Sequence, residues 1–128
     1  MALPNEKSAD FNGMEVEVAQ LNIGPSSTVT QITNRSTGVT INATSGQITT
    51  DSTSLAAAAE ATFTVTNDKV SATSVIALCQ ASGSTTATSK PLVGAVADGS
   101  FDITLTNLHA STADTAAMVI NFVVINGV

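Results

Sequence analysis

From Val29 onward the chain is interrupted every few residues by Gly, Asn, Asp and Ser clusters. The pieces between them are too short for stable helices and rich in Thr, Val and Ile, which suit a pleated surface. Ala61–Thr66 is the clearest piece: Ala61, Phe63 and Val65 fall on one face and three threonines on the other. Ser100–Thr106 repeats the pattern with Phe101, Ile103 and Leu105 after the turn Asp98-Gly99. Further strands are predicted at Thr28–Thr33, where Thr alternates with Val29 and Ile32, at Val39–Ile41, at Gln47–Thr50 and at Pro91–Ala97. Ala116–Ile125 is another. Ser74–Ala81 is continuously apolar, which predicts a strand buried on both sides.

About eight strands in roughly 100 residues point to an antiparallel sandwich or barrel. The fold class expected is all-β, a jelly-roll-like antiparallel β-sandwich preceded by an extended N-terminal arm. No motif recurs at a fixed period, which argues against a solenoid or propeller. Ser54–Glu60 has helix propensity but spans barely two turns, so it reads as a short connection with room for one helical turn. Ala81–Lys90 is low in complexity and reads as an exposed loop.

Residues 1–24 differ from the rest. They hold four acids and one base among isolated apolar residues, and they end at the breaker cluster Gly24-Pro25-Ser26-Ser27. Glu15–Ile23 alternates polar with apolar residues, a half-buried strand signal. The division is therefore an arm, residues 1–24, and a β-sandwich domain, residues 25–128. Val16–Ile23 reads equally as the first strand of the domain. Both readings hold if the arm pairs with a neighbouring subunit.

The chemistry expected is sparse. Cys79 is the one cysteine, so no intrachain disulfide can form, and its apolar run makes it a small core hydrophobe. His109 is the one histidine, in the polar loop Asn107–Ser111, and reads as an exposed loop residue. One Cys and one His cannot make a structural zinc site. Asp98, Asp102 and Asp114 lack calcium-loop spacing, and no glycine-rich phosphate loop or nucleophile elbow occurs. No catalytic, cofactor-binding or metal residues are assigned, and the expectation is a non-enzyme with no cofactor. Asn34 and Asn42 head Asn-x-Ser/Thr sequons but read as turn residues.

A net charge of −6 with only Lys7, Arg35, Lys69 and Lys90 as cations argues against nucleic acid and against an anionic membrane surface. The charged fraction of 11% is less than half that of an average soluble domain, so part of the surface is expected to be covered by a partner or by copies of itself. Residues 1–24 contain no signal peptide, and no run approaches the roughly 18 apolar residues of a membrane span.

The stretch from Val29 onward resembles small virion structural proteins of tailed bacteriophages and prophages. The matching pieces are Val29–Thr33, Ser36–Asn42, Gly46–Thr50, Phe63–Asn67, Gly99–Asn107 and Ile120–Gly127. They cover about 100 residues in order, as strand-and-turn patterns of low chemical specificity, with no catalytic residues to carry over. The chain departs from the pattern in its poly-Ala connection, where Gly is usual, and at Asn126, where Lys is common.

The resemblance implies a capsid decoration (cement) protein on the outside of a phage head, made in the host cytoplasm. Its partners would be the major capsid protein and its own copies, as a homotrimer. The docking residues expected on the arm are Leu3, Phe11, Met14, Val16, Val18, Leu21 and Ile23. The alternative is a tail-fibre or receptor-binding module, against which stand the missing shaft segment and the absence of Trp and Tyr for sugar stacking.

Overall fold

The computed structural model describes residues 24–126. They form eight strands: β1 (Thr28–Thr30), β2 (Val39–Thr40), β3 (Ser45–Thr49), β4 (Glu60–Thr66), β5 (Val75–Ser82), β6 (Ser89–Ala97), β7 (Ser100–Asn107) and β8 (Val119–Ile125). Two four-stranded sheets result. Sheet A has the order β1-β3-β8-β5 and sheet B the order β2-β4-β7-β6.

The expected all-β sandwich is present, and period-2 alternation builds it. Ile48, Ile120, Phe122 and Val124 point inward from sheet A, and Phe63, Val65, Phe101, Ile103 and Leu105 point inward from sheet B. All nine are buried in one core. The rings of Phe101 and Phe122 meet across it at 5.6 Å, tilted by 56°, a favourable aromatic arrangement. Gly46 keeps this contact possible, since a Cβ there would lie 2.7 Å from both Phe122 and Ile41.

Four features depart from the sequence reading. First, the long strands pair antiparallel, but β1 on β3 and β2 on β4 are parallel, unlike an all-antiparallel jelly roll. The chain crosses from sheet A to sheet B and back over β1 to β4. Each return passes through the other sheet, so the strand laid down runs the same way as its neighbour.

Second, Ser74–Ala81 is not buried on both sides. β5 is the edge strand of sheet A, and exposed Val75, Ala77 and Cys79 alternate with half-buried Ile76 and Leu78. Third, the strand predicted through Thr33 ends at Thr30, and Ile32 falls on the side opposite Val29. Gln31 turns inward and Ile32 is 88% exposed. Gln31 keeps the inward phase of Val29 and is satisfied there: its amide donates to the carbonyls of Arg35 and Thr37, and its oxygen accepts from the Asp51 amide.

Fourth, Ser54–Glu60 contains no helical turn. Leu55 makes an isolated bridge to Asp114, the Ala59 amide closes a turn on Ala56, and Ala58 takes a positive φ of 56°. The predicted loop Ala81–Lys90 shrinks to residues 83–88, because β5 runs to Ser82 and β6 starts at Ser89. Asn34 and Asn42 are turn residues as expected; their side-chain oxygens accept from the amides of Ser36 and Asp68.

Candidate interaction surface

The two outer faces of the sandwich differ in chemistry. On sheet B the outward positions of β4 and β7 carry hydroxyls and acids, while the edge strand β6 exposes Leu92 beside Thr104. Thr62 and Thr104 share a hydrogen bond of 2.8 Å, Thr64 donates to Asp102 at 2.7 Å, and Thr106 donates to Glu60 at 3.2 Å. These cross-strand pairs satisfy one another and give a hydrated face.

On sheet A the outward positions of β5 and β8 are mainly apolar. Val75, Ala77 and Cys79 lie on β5, with Val123 and Ile125 beside them on β8. The polar exception is the pair Gln47–Asn121, joined side chain to side chain at 2.9 Å. A depression of about 270 Å³ lies on this face, bounded by Gly24, Pro25, Ala77, Cys79, Asn121 and Val123.

The chain enters the domain at that depression, in a fixed direction. Ser26 gives both its amide and its hydroxyl to the Ser45 carbonyl, at 3.1 and 2.7 Å. The Gln47 amide donates to Ser27 at 2.9 Å, and the Ser45 hydroxyl donates to the Gly24 carbonyl. Residues 24–27 therefore prolong β1 along β3, and Gly24 lies at the rim of the apolar strip.

At another place a buried charged cluster ties distant loops together. Arg35 is 3% exposed and Asp114 fully buried. The Arg35 guanidinium donates to the carbonyls of Thr53, Asp114 and Ala116. Its Nη2 lies 3.9 Å from Asp114 Oδ1, too long for a strong ion pair. Burial alone would push the Asp114 carboxyl up. The Ser89 hydroxyl, the Thr85 and Ala116 amides and the Thr85 hydroxyl outweigh burial and hold the carboxyl at about 2. Ser89 Oγ and Asp114 Oδ2 lack hydrogen bonds of ordinary geometry, so the Ser89 contribution is the loosest of these. Asp51 is also held below its ordinary value, first by the hydroxyl and amide of Thr53. Arg35 and Asp114 form a structural latch, and the burial of Arg35 withholds it from any phosphate.

The arm residues Leu3, Phe11, Met14, Val16, Val18, Leu21 and Ile23 lie outside the described residues. Cys79 is a correction: it is exposed on the outer face of sheet A rather than buried in the core, because an edge strand has only one face against the interior. His109 is half-buried rather than free in solvent. Its Nδ1 accepts from the amides of Ser111 and Thr112 at 3.2 and 2.9 Å, which shapes the β7–β8 connection. Among the described residues, no three His, Cys, Asp or Glu side chains gather as metal ligands, and no helix is long and apolar enough to cross a membrane.

Neither a family model, a curated protein nor a solved structure matches this chain. The reading of the surface therefore rests on the chemistry of its two faces. Sequence reasoning missed the apolar face. The signal was present in the unbroken run Val75–Cys79, but an edge position for that run has no local signature.

Proposed function

We propose that this protein is a decoration (cement) protein of a bacteriophage head. In this reading it sits on the outside of the shell as a homotrimer, binds the major capsid protein and links neighbouring capsomers. The observation that carries the reading is the two-faced sandwich. One outer face carries paired hydroxyls and acids along its two central strands, β4 and β7, and suits solvent there. The other is apolar along β5 and the adjoining part of β8, and Gly24 and Pro25 at the start of the domain border that strip. A charged fraction of 11% suits a domain that spends its life partly covered.

Apolar arm residues at Leu3, Phe11, Met14, Val16, Val18, Leu21 and Ile23 give such a domain a means of attachment. An extended segment binds through its backbone as well as its side chains. Many copies on a lattice make each contact's modest affinity sufficient. The resemblance of Val29–Gly127 to tailed-phage virion proteins supports the same reading.

Deleting residues 1–23 and measuring occupancy on undecorated heads tests the proposal. Binding is expected to be lost while the sandwich still unfolds cooperatively. Unchanged occupancy would overturn it. Copy number in purified particles separates the tail-fibre alternative: hundreds of copies fit decoration of a shell, and a few to a few tens fit a tail.

A further inference from the structure

We infer that the free edge of β5 pairs with the same edge of a second copy of this chain, antiparallel and about a two-fold axis at Ala77. An edge strand offers a row of unused N–H and C=O groups, and proteins ordinarily guard such edges with charge, proline, bulges or shortness. Three of the four sheet edges here are guarded. β1 and β2 are three and two residues long, and Pro25 precedes β1. β6 carries Lys90 and Pro91, and its register slips between Val93 and Val96. β5 differs. Its register on β8 is regular from Val75 to Gln80, with no charge and no proline, and no other described strand pairs with it.

The chemistry of this edge selects a second copy as the occupant. No charged residue occurs between Lys69 and Lys90, the longest uncharged stretch of the chain. Two copies, each with a net charge of −6, therefore meet no like charge on this strand. Val75–Cys79 is also close to symmetric about its centre. Turned end for end, the strand sets Val75 against Cys79 of the second copy and Ile76 against Leu78, with the two Ala77 residues opposed. Every opposed pair is apolar, and the smallest residue lies at the axis. Ile76 and Leu78 pack on the core but stay half-buried at the open side of the sheet. Their counterparts in the second copy would cover them. Such a self-complementary contact gains backbone hydrogen bonds along the strand as well as apolar burial beside it.

Edge pairing leaves the outer face of sheet A free. Val75, Ala77 and Cys79 keep their outward direction, so the apolar strips of the two copies adjoin across the axis as one surface. The inference does not rest on the shell reading. Within that reading, the two-fold contact ties copies of neighbouring trimers together and doubles the apolar surface offered to the shell.

Cross-linking in the full-length chain tests the axis. Opposed residues of an antiparallel pair have Cα atoms about 4.5–5.5 Å apart, within disulfide reach. In Ala77→Cys/Cys79→Ser, mild oxidation should therefore give a covalent dimer on non-reducing electrophoresis, with mass spectrometry locating the bond at position 77. Val123 is the neighbour of Ala77 on β8. The two Val123 residues then lie three strand spacings apart, about 14 Å. Val123→Cys/Cys79→Ser should run as a monomer on the same gel. A bond at position 123, or none at position 77, would overturn the inference.

A second measurement uses no thiol chemistry. Ala77 is exposed, and Ala77→Lys opposes two like charges at the axis. Light scattering should give this variant half the particle mass of the native chain. Equal masses would also overturn the inference. A strand from elsewhere in the same chain on this edge would give neither the bond nor the change in mass. Both measurements use the isolated protein, so their failure is distinct from failure to bind a capsid.

Discussion

Ala58 and Ala87 hold left-handed backbone positions, with φ of 56° and 57°. A side chain there costs about 1–2 kcal/mol relative to glycine, because Cβ crowds the following carbonyl. The Ala58 amide is fixed to the His109 carbonyl and the Ala59 amide to Ala56, so the turn cannot relax into a helix. Ala58→Gly is expected to raise stability by up to about 1 kcal/mol, once the added freedom of the unfolded chain is subtracted. Urea unfolding of the two proteins measures the difference.

Asp114 makes the second prediction at this scale. Its carboxyl is held at about 2 against an ordinary 3.8, so its charged form is favoured in the folded state. That contribution is whole above about pH 4 and drains away as pH falls toward 2, with a total on the order of 2 kcal/mol. Unfolding midpoints between pH 5 and pH 2 should fall steeply in the native protein and less so in Asp114→Asn. The latch around Asp114 could not be read from the sequence. Its partners Thr53, Thr85 and Ala116 are scattered over the chain, and Arg35 sits between Asn34 and Ser36 with no local signal of burial. By contrast, the turn role of Asn34 was legible, because its side-chain oxygen bonds two residues ahead.

Among the elements, legibility follows position within a sheet. β4 and β7 lie in the middle of sheet B, and their alternation reproduces their burial almost residue by residue. β5 has the richest apolar run, yet the edge of sheet A leaves half of it facing out. β1 and β2 are three and two residues long, too short for periodicity to show their parallel pairing. The contrast in burial is measurable. Ile103→Ala empties a fully buried core site and should cost about 2–5 kcal/mol. Val75→Ala, at a position 60% exposed, should cost less than about 1 kcal/mol. Equal costs in denaturant unfolding would mean that the outward side of β5 is packed like a core.

At the scale of the whole molecule, the sheet order carries a consequence for how the protein is made. β8, residues 119–125, lies in the middle of sheet A, between β3 and β5. A growing chain that has reached residue 118 can already pair β2, β4, β7 and β6, since all of sheet B precedes that point. Sheet A at that moment is two separate pieces, β1 with β3 and a solitary β5, with nothing to bridge them. The half-built domain then shows the unpaired edge of β3 and the apolar strand β5 to the crowded interior of the cell. The span between synthesis of Ser82 and arrival of Val119 is thus its most aggregation-exposed interval, and one short strand brings it to an end.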